Sequence, residues 1–251
     1  SGAILEFSKT GGAGQTGAVT MSGDGTWKIS ETAGTSLEGT SSGSSVAMGS
    51  GALIHVDSGN YRFGYAIAGD WSGNLSDLQI DAGAEFRAGA TPIRVDSLDG
   101  GGALRIAGVF TVGVDDGDGT FSGAITNDGG VPGSPGSFTK EGSGTQILDG
   151  ANTYSGDTVV NGGTLLVNGT HLPIVGTGTY TINSTGTLGG DGTIGGNITD
   201  VTINSGAFLS PGDAPGAIGT LTLDANLDIS AAVGGPDGSL LFDVGDTVVL
   251  T

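Results

Sequence analysis

The sequence has no cysteine. That excludes a disulfide framework, a thiolate nucleophile and thiolate metal ligands. Bases are scarce: 7 Lys and Arg stand against 26 Asp and Glu, a formal charge of −19 over 251 residues. Phosphate backbones are held by clustered Lys and Arg, so no nucleic acid partner is expected, and anionic membrane surfaces are disfavoured. No apolar run approaches the roughly 18 residues of a membrane helix, so no direct membrane insertion is read for this segment. The opening "SGAILEF" lacks a charged region followed by an apolar core. The chain therefore reads as a mature or excised segment rather than one led by a signal peptide. Helical periodicity is missing as well, because Gly interrupts nearly every window of ten residues.

What is present is glycine, 53 of them, beside a 36% hydrophobic fraction and only 13% charged residues. Disordered chains combine low hydrophobicity with high charge. Here a core can be buried if it is built from many short strands, with Gly marking the turns. Alternating segments fit that requirement: "AVTM" at Ala18–Met21, "TWKI" at Thr26–Ile29, "YRFGY" at Tyr61–Tyr65, "ALRI" at Ala103–Ile106 and "TYTI" at Thr179–Ile182. Alternation puts every second side chain on one face, and Thr and Val suit pleated surfaces.

Spacing then selects an architecture. Leu165, Ile182, Ile203, Leu223 and Phe242 occupy similar places in similar segments, about 20 residues apart. A repeat that short cannot bury its own apolar face, and stacking of successive coils supplies the missing partner. The expected fold is all-β, a right-handed parallel β-helix (β-solenoid) with coils of about 20 residues, the hand following the usual chirality of parallel crossovers. A β-sandwich is the rival, disfavoured by the repeat length and the lack of clear hairpin pairs. Residues 1–251 read as a single β-helix with irregular loops near 31–51 and 129–137, the latter carrying "VPGSPG".

"FTVGVDDGDGTFSGAI", followed by "FTKEGSGTQILDGANTYSGDTVVNGGTLLVNGT", resembles the autotransporter-associated β-strand repeat, also called the passenger-associated transport repeat. "GTLGGDGTIGGNI" and "VTINSGAFLSPGDAPGAIGTLTL" resemble the segments that follow it, so the likeness is strongest over 110–244. The resemblance implies a right-handed β-helix in a secreted bacterial passenger, with transport and stalk architecture and no catalytic residue of its own. The pattern is still running at "DTVVLT", which points to a piece of a longer solenoid or to a subunit whose end stacks on another.

Carbohydrate-cleaving β-helices need two carboxyl groups held across a cleft. Asp115, Asp116 and Asp118 in "DDGDG" are the densest acids, and Asp96 and Asp99 form a looser pair. Both sets also read as solvated turns, where Asp and Gly are preferred for backbone reasons. Calcium is the alternative at Asp115, Asp116 and Asp118, although the twelve-residue loop with its terminal Glu is missing. Arg62, Arg87, Arg94 and Arg105 either line one face on neighbouring coils or pair with surplus acids. His55 and His171 lie far apart, without a metal-ligand partner at short spacing. Trp27, Trp71, Tyr61, Tyr65 and Tyr154 either stack on sugars or fill coil interiors. Asn74, Asn168, Asn183 and Asn197 fit the glycosylation pattern and read as Asn/Thr turns in a bacterial chain.

The reading is a non-enzymatic extracellular structural or adhesive β-helix, a rigid stalk or passenger segment at a bacterial surface, with no catalytic residue and no cofactor. Two alternatives stay open: a filament subunit that stacks end to end on copies of itself, and a β-helix that binds or cleaves surface glycans.

Overall fold

The computed structural model describes residues 4–9, 20–31, 36–39, 44–63, 69–129, 135–214, 217–231 and 247–251. Among them every element is a strand and every strand pairing is parallel. The chain winds through three walls. The first holds ten strands, from Ile4–Lys9 through Thr145–Leu148 to Phe208–Pro211. The second runs from Ser36–Gly39 to Ala124–Asn127 as one sheet, then from Ala151–Asn152 to Thr247–Leu250 as another. The third starts with Thr20–Gly23 and Ser45–Met48 and continues from Ile93–Arg94 to Asn226–Asp228. Each strand on a wall pairs with one in the next coil, about a coil length away in sequence. That is the signature of a β-solenoid. Coil length varies from 17 residues (Ile93 to Phe110) to 29 (Thr193 to Thr222).

Inward side chains stack into ladders. Ile54, Leu78 and Leu98 form one on the first wall, which resumes with Leu165, Leu188 and Leu209. On the second wall Tyr61, Phe86, Leu104 and Ile125 stack. The third wall stacks Ile93, Phe110 and Phe138, with the last two rings 6.3 Å apart and nearly parallel. These residues join one buried cluster that runs the length of the solenoid. A coil alone could not form it, which is why like residues recur.

Three sequence expectations need adjustment. Ile182 and Ile203 do stack, but Leu165 lies on the first wall against Leu188 and Leu223 on the second against Ile194. Phe242 lies outside the described residues, as does Tyr65. The stretch 31–51, expected as a loop, contributes Ser36–Gly39 to the second wall and Ser45–Met48 to the third. Within 129–137, residues 130–134 lie outside the described set, and Ser137 already opens a third-wall strand.

The corners explain the glycine. Between the first and second walls Gly102, Gly123, Gly150, Gly169 and Gly192 fall in one column. A Cβ on Gly123 would sit 1.7 Å from the Gly102 carbonyl oxygen, and one on Gly150 would sit 1.8 Å from that of Gly123. Gly169 and Gly192 face the same obstruction at 2.2 and 1.9 Å. A shorter column, Gly136, Gly156 and Gly178, turns the chain from second to third wall. At the third corner Asn161, Asn183 and Asn204 form an amide ladder, each Nδ2–H₂ donating to the Oδ1 of the previous coil at 2.8 and 2.9 Å. Gly150→Ala should destabilise the protein by about 1–3 kcal/mol through overpacking. Gly129→Ala, with open space around its Cβ, should stay within about 0.5 kcal/mol of the parent. Urea unfolding of the two variants checks the contrast.

Candidate functional site

The acids converge at the corner between the third and first walls, and their oxygens meet backbone N–H groups of the next coil. Asp96 Oδ1 accepts from the amides of Asp115 (2.6 Å) and Gly117 (2.9 Å). Asp116 Oδ1 accepts from Ser143 and Asp118 Oδ1 from Thr145, both at 2.6 Å. Asp99 Oδ1 takes the amide of Thr120 at 2.9 Å. At these turns the carboxylates replace the peptide carbonyls that a regular strand would offer. The Ser143 bonds hold the Asp116 carboxyl below its ordinary range. Asp77 behaves differently: partial burial, reinforced by Asp96 and Asp99, pushes its carboxyl up. Ser97 Oγ stands between Asp77 Oδ1 (2.8 Å) and Asp99 Oδ2 (2.7 Å) and has one proton to donate. That pair is the closest approach to acid–base chemistry in this cluster.

Arg62, Arg87 and Arg105 occupy one register row of the second wall on three successive coils. Arg87 pairs with buried Asp128, and Arg105 Nε donates to Glu85 Oε2 at 2.5 Å. Arg94 lies on the third wall, 2.8 Å from Glu141. Trp71, Tyr61 and Tyr154 are buried, and Trp27 packs against the core. Asn74 is buried too. It accepts from the Met48 amide and donates to the Arg94 carbonyl, tying three coils together. A shallow groove at the third corner is lined by Gly142, Ser143, Asn161, Gly162, Gly163 and Thr185. It exists because the Asn161–Gly162 turn is shorter than the turns on either side.

Sequence reasoning missed the polar groups inside the core between Ser137 and Ile182. Lys140 takes an inward place between Val112 and Val160, and its ammonium turns out to the carbonyls of Glu141 and Gly142. Burial lowers its pKa, against the pull of Asp116 and its neighbours. Gln146 sits in the first-wall ladder, where Gly119 leaves a gap. Its amide reaches across to Leu98, accepting from the N–H at 3.2 Å and donating to the C=O at 2.9 Å, as a strand's own peptide would. Asn152 and His171 are successive members of the second-wall ladder. His171 Nε2–H donates to the Tyr154 carbonyl (2.8 Å). This leaves Nδ1 as acceptor for the Tyr180 hydroxyl (2.7 Å) and fixes the neutral tautomer. Tyr154 stacks on the imidazole at 4.0 Å and shares a hydrogen bond with Thr158 at 2.7 Å. Burial depresses His171 to about 4 and raises Tyr154 to about 12. The only signal in the sequence was polar residues in positions where the alternation expects apolar ones.

The imidazole makes stability pH-dependent in a defined direction. Its folded pKa of about 4 lies below the unfolded 6.5, so the unfolded chain binds more protons between those values. The contribution is complete above pH 6.5 and falls by about 3 kcal/mol as pH drops to 4. Asp77, with its raised pKa, works in the opposite sense near the bottom of that window. A His171→Asn variant should be less stable at neutral pH and show a flatter stability profile from 6.5 to 4, read by denaturant unfolding at stepped pH.

Residues 138–167 match the model of the passenger-associated transport repeat. They form one full coil and the third- and first-wall strands of the next, Thr158–Val160 and Gly163–Val167. No curated protein and no solved structure matches the chain. The chain is thus a parallel β-solenoid in which residues 138–167 match the passenger-associated transport repeat.

Proposed function

We propose that the chain is a non-enzymatic, extracellular stalk or passenger segment of a secreted or surface-bound bacterial protein, and that extended, rigid length is what it supplies. The observation that carries this reading is the use made of its polar groups. Asp96, Asp99, Asp116 and Asp118 cap amides of neighbouring coils, Arg87, Arg94 and Arg105 pair with acids, and Tyr61, Trp71 and Tyr154 pack inward. Reactive groups spent on holding coils together are not arranged round a substrate. The repeat at 138–167 supports the same reading through its family. Glycan contact and end-to-end self-association are the other readings, and this one needs no calcium at Asp115, Asp116 and Asp118, where Asp116 and Asp118 each spend one carboxylate oxygen on an amide proton.

The experiment follows from length. Ten first-wall strands spaced by about 4.8 Å give an axis of about 45 Å. Small-angle scattering should yield a rod of about that length with a constant cross-section. Screening against glycans and acidic polysaccharides should give neither binding nor turnover, and millimolar calcium should leave the melting temperature unchanged. A globular scattering profile or saturable polysaccharide cleavage would overturn the proposal.

A further inference from the structure

A separate cluster lies on the outer face of the first wall, away from the repeat. Lys28, His55 and Gln79 fall in one row on three successive coils. The pairing slips by one residue after Ile29 and Val56, so that Ser30 faces Ser58 and Asp57 is the extra residue of a bulge. Bulges re-aim side chains. Here the Asp57 carboxylate meets Lys28 Nζ at 3.2 Å and the Ser30 hydroxyl at 3.0 Å. The following coil brings Asp81, whose Oδ2 lies 2.8 Å from His55 Nε2 while its Oδ1 accepts from Gln79 Nε2 at 2.7 Å. One ligand atom each from His55, Asp57 and Asp81 lie within 4.8 Å of one another, and all three side chains are half-buried.

We propose that His55, Asp57 and Asp81 form a three-ligand site for a divalent first-row transition metal, with zinc as the reference ion. The donor set selects the class. Calcium and magnesium take oxygen donors only, usually six or more including water, whereas imidazole with carboxylate suits zinc and its neighbours. The spacing fits as well: donors at about 2.05 Å from a tetrahedral ion stand about 3.4 Å apart. The His55–Asp81 contact need open only slightly: the imidazole passes its Nε2 proton to water and takes one at Nδ1, its Nε2 lone pair meets the ion, and water fills the fourth position. Charge points the same way, because two carboxylates face one ammonium, and a dication reverses that deficit. Lys28 is the resident competitor for Asp57. A metal held here joins the coil of Leu53–Ser58 to that of Asp77–Ile80 and staples them from outside, independently of the stalk role proposed above.

The test uses the metal-stripped chain titrated with zinc by calorimetry and with cobalt(II) by visible absorption. One equivalent should bind, a cobalt d–d spectrum should appear, and zinc should raise the melting temperature, while millimolar calcium or magnesium should do neither. His55→Ala and Asp81→Asn should each weaken zinc by about ten-fold or more and remove the cobalt band. Lys28→Met should tighten binding, an effect opposite to that of the ligand variants and one that general damage to the fold would not produce. Circular dichroism verifies that each variant is folded. No zinc binding at millimolar concentration, binding unchanged by both ligand substitutions, or weaker binding in Lys28→Met would each overturn the site.

Discussion

The structure depends on how closely one coil can lie on the next. Parallel strands pair at about 4.8 Å. Along a wall that distance suits any side chain, because the side chain points in or out. At a corner the chain bends, and the Cα of one coil comes to lie over the carbonyl of the coil before. A methyl group there would be 1.7 Å from an oxygen at Gly123 and 1.9 Å at Gly192. In the column of Gly102, Gly123, Gly150, Gly169 and Gly192 the corner must therefore be glycine, or the stack must open. At Gly51 and Gly83 the space around a Cβ is open, and a positive φ is what selects glycine.

The remaining polar devices follow from corners of unequal length. Where a turn is short, as at Asn161–Gly162, the side-chain amides line up in register and bond coil to coil. Where it is long, as from Gly113 to Asp118, backbone amides lose their strand partners, and Asp96, Asp116 and Asp118 supply the missing acceptors. Many of the surplus acids are thus bound into the structure. Such carboxylates contribute most when ionised, since acceptors to backbone N–H are stronger with full charge. The interior, by contrast, is one buried cluster of ladders that no single coil could bury, with polar members where Gln146, Asn152 and His171 take inward places.

Much of this was legible in the sequence, because alternation and a recurrent 20-residue spacing are local signals. The wall to which a residue belongs was not. A coil has three strands, so a spacing of about 20 can join positions on different walls, as it did for Leu165 and Ile182. Corners of unequal length, such as the single residue between Ser58 and Asn60 and the eight between Pro211 and Thr220, then shift the phase. The same obstacle hid the candidate sites. His55 and Asp81 meet across 26 residues, and only the length of that coil puts them side by side. Asn74, read from the sequence as a turn residue, also proves to be a buried tie among three coils. Long-range register decides these cases, and a single sequence carries no direct record of it.

The repeat itself holds the densest set of exceptions to the apolar core. Lys140, Gln146, Asn152, Tyr154 and Thr158 all lie between Phe138 and Val167 and are buried. His171 and Tyr180 complete their hydrogen bonds from the next coil. An apolar ladder tolerates displacement, since one aliphatic side chain packs on another in several registers. A polar one does not. If this coil slipped by two residues, the Gln146 amide would lose Leu98, and a buried donor and acceptor left open cost about 1–3 kcal/mol each. The Tyr154 carbonyl and the His171 ring would lose each other in the same step. The repeat therefore does for register what glycine does for the corners: it penalises every stacking but one. In a fold whose neighbouring coils are so nearly alike, that selectivity keeps a long stack from pairing out of phase.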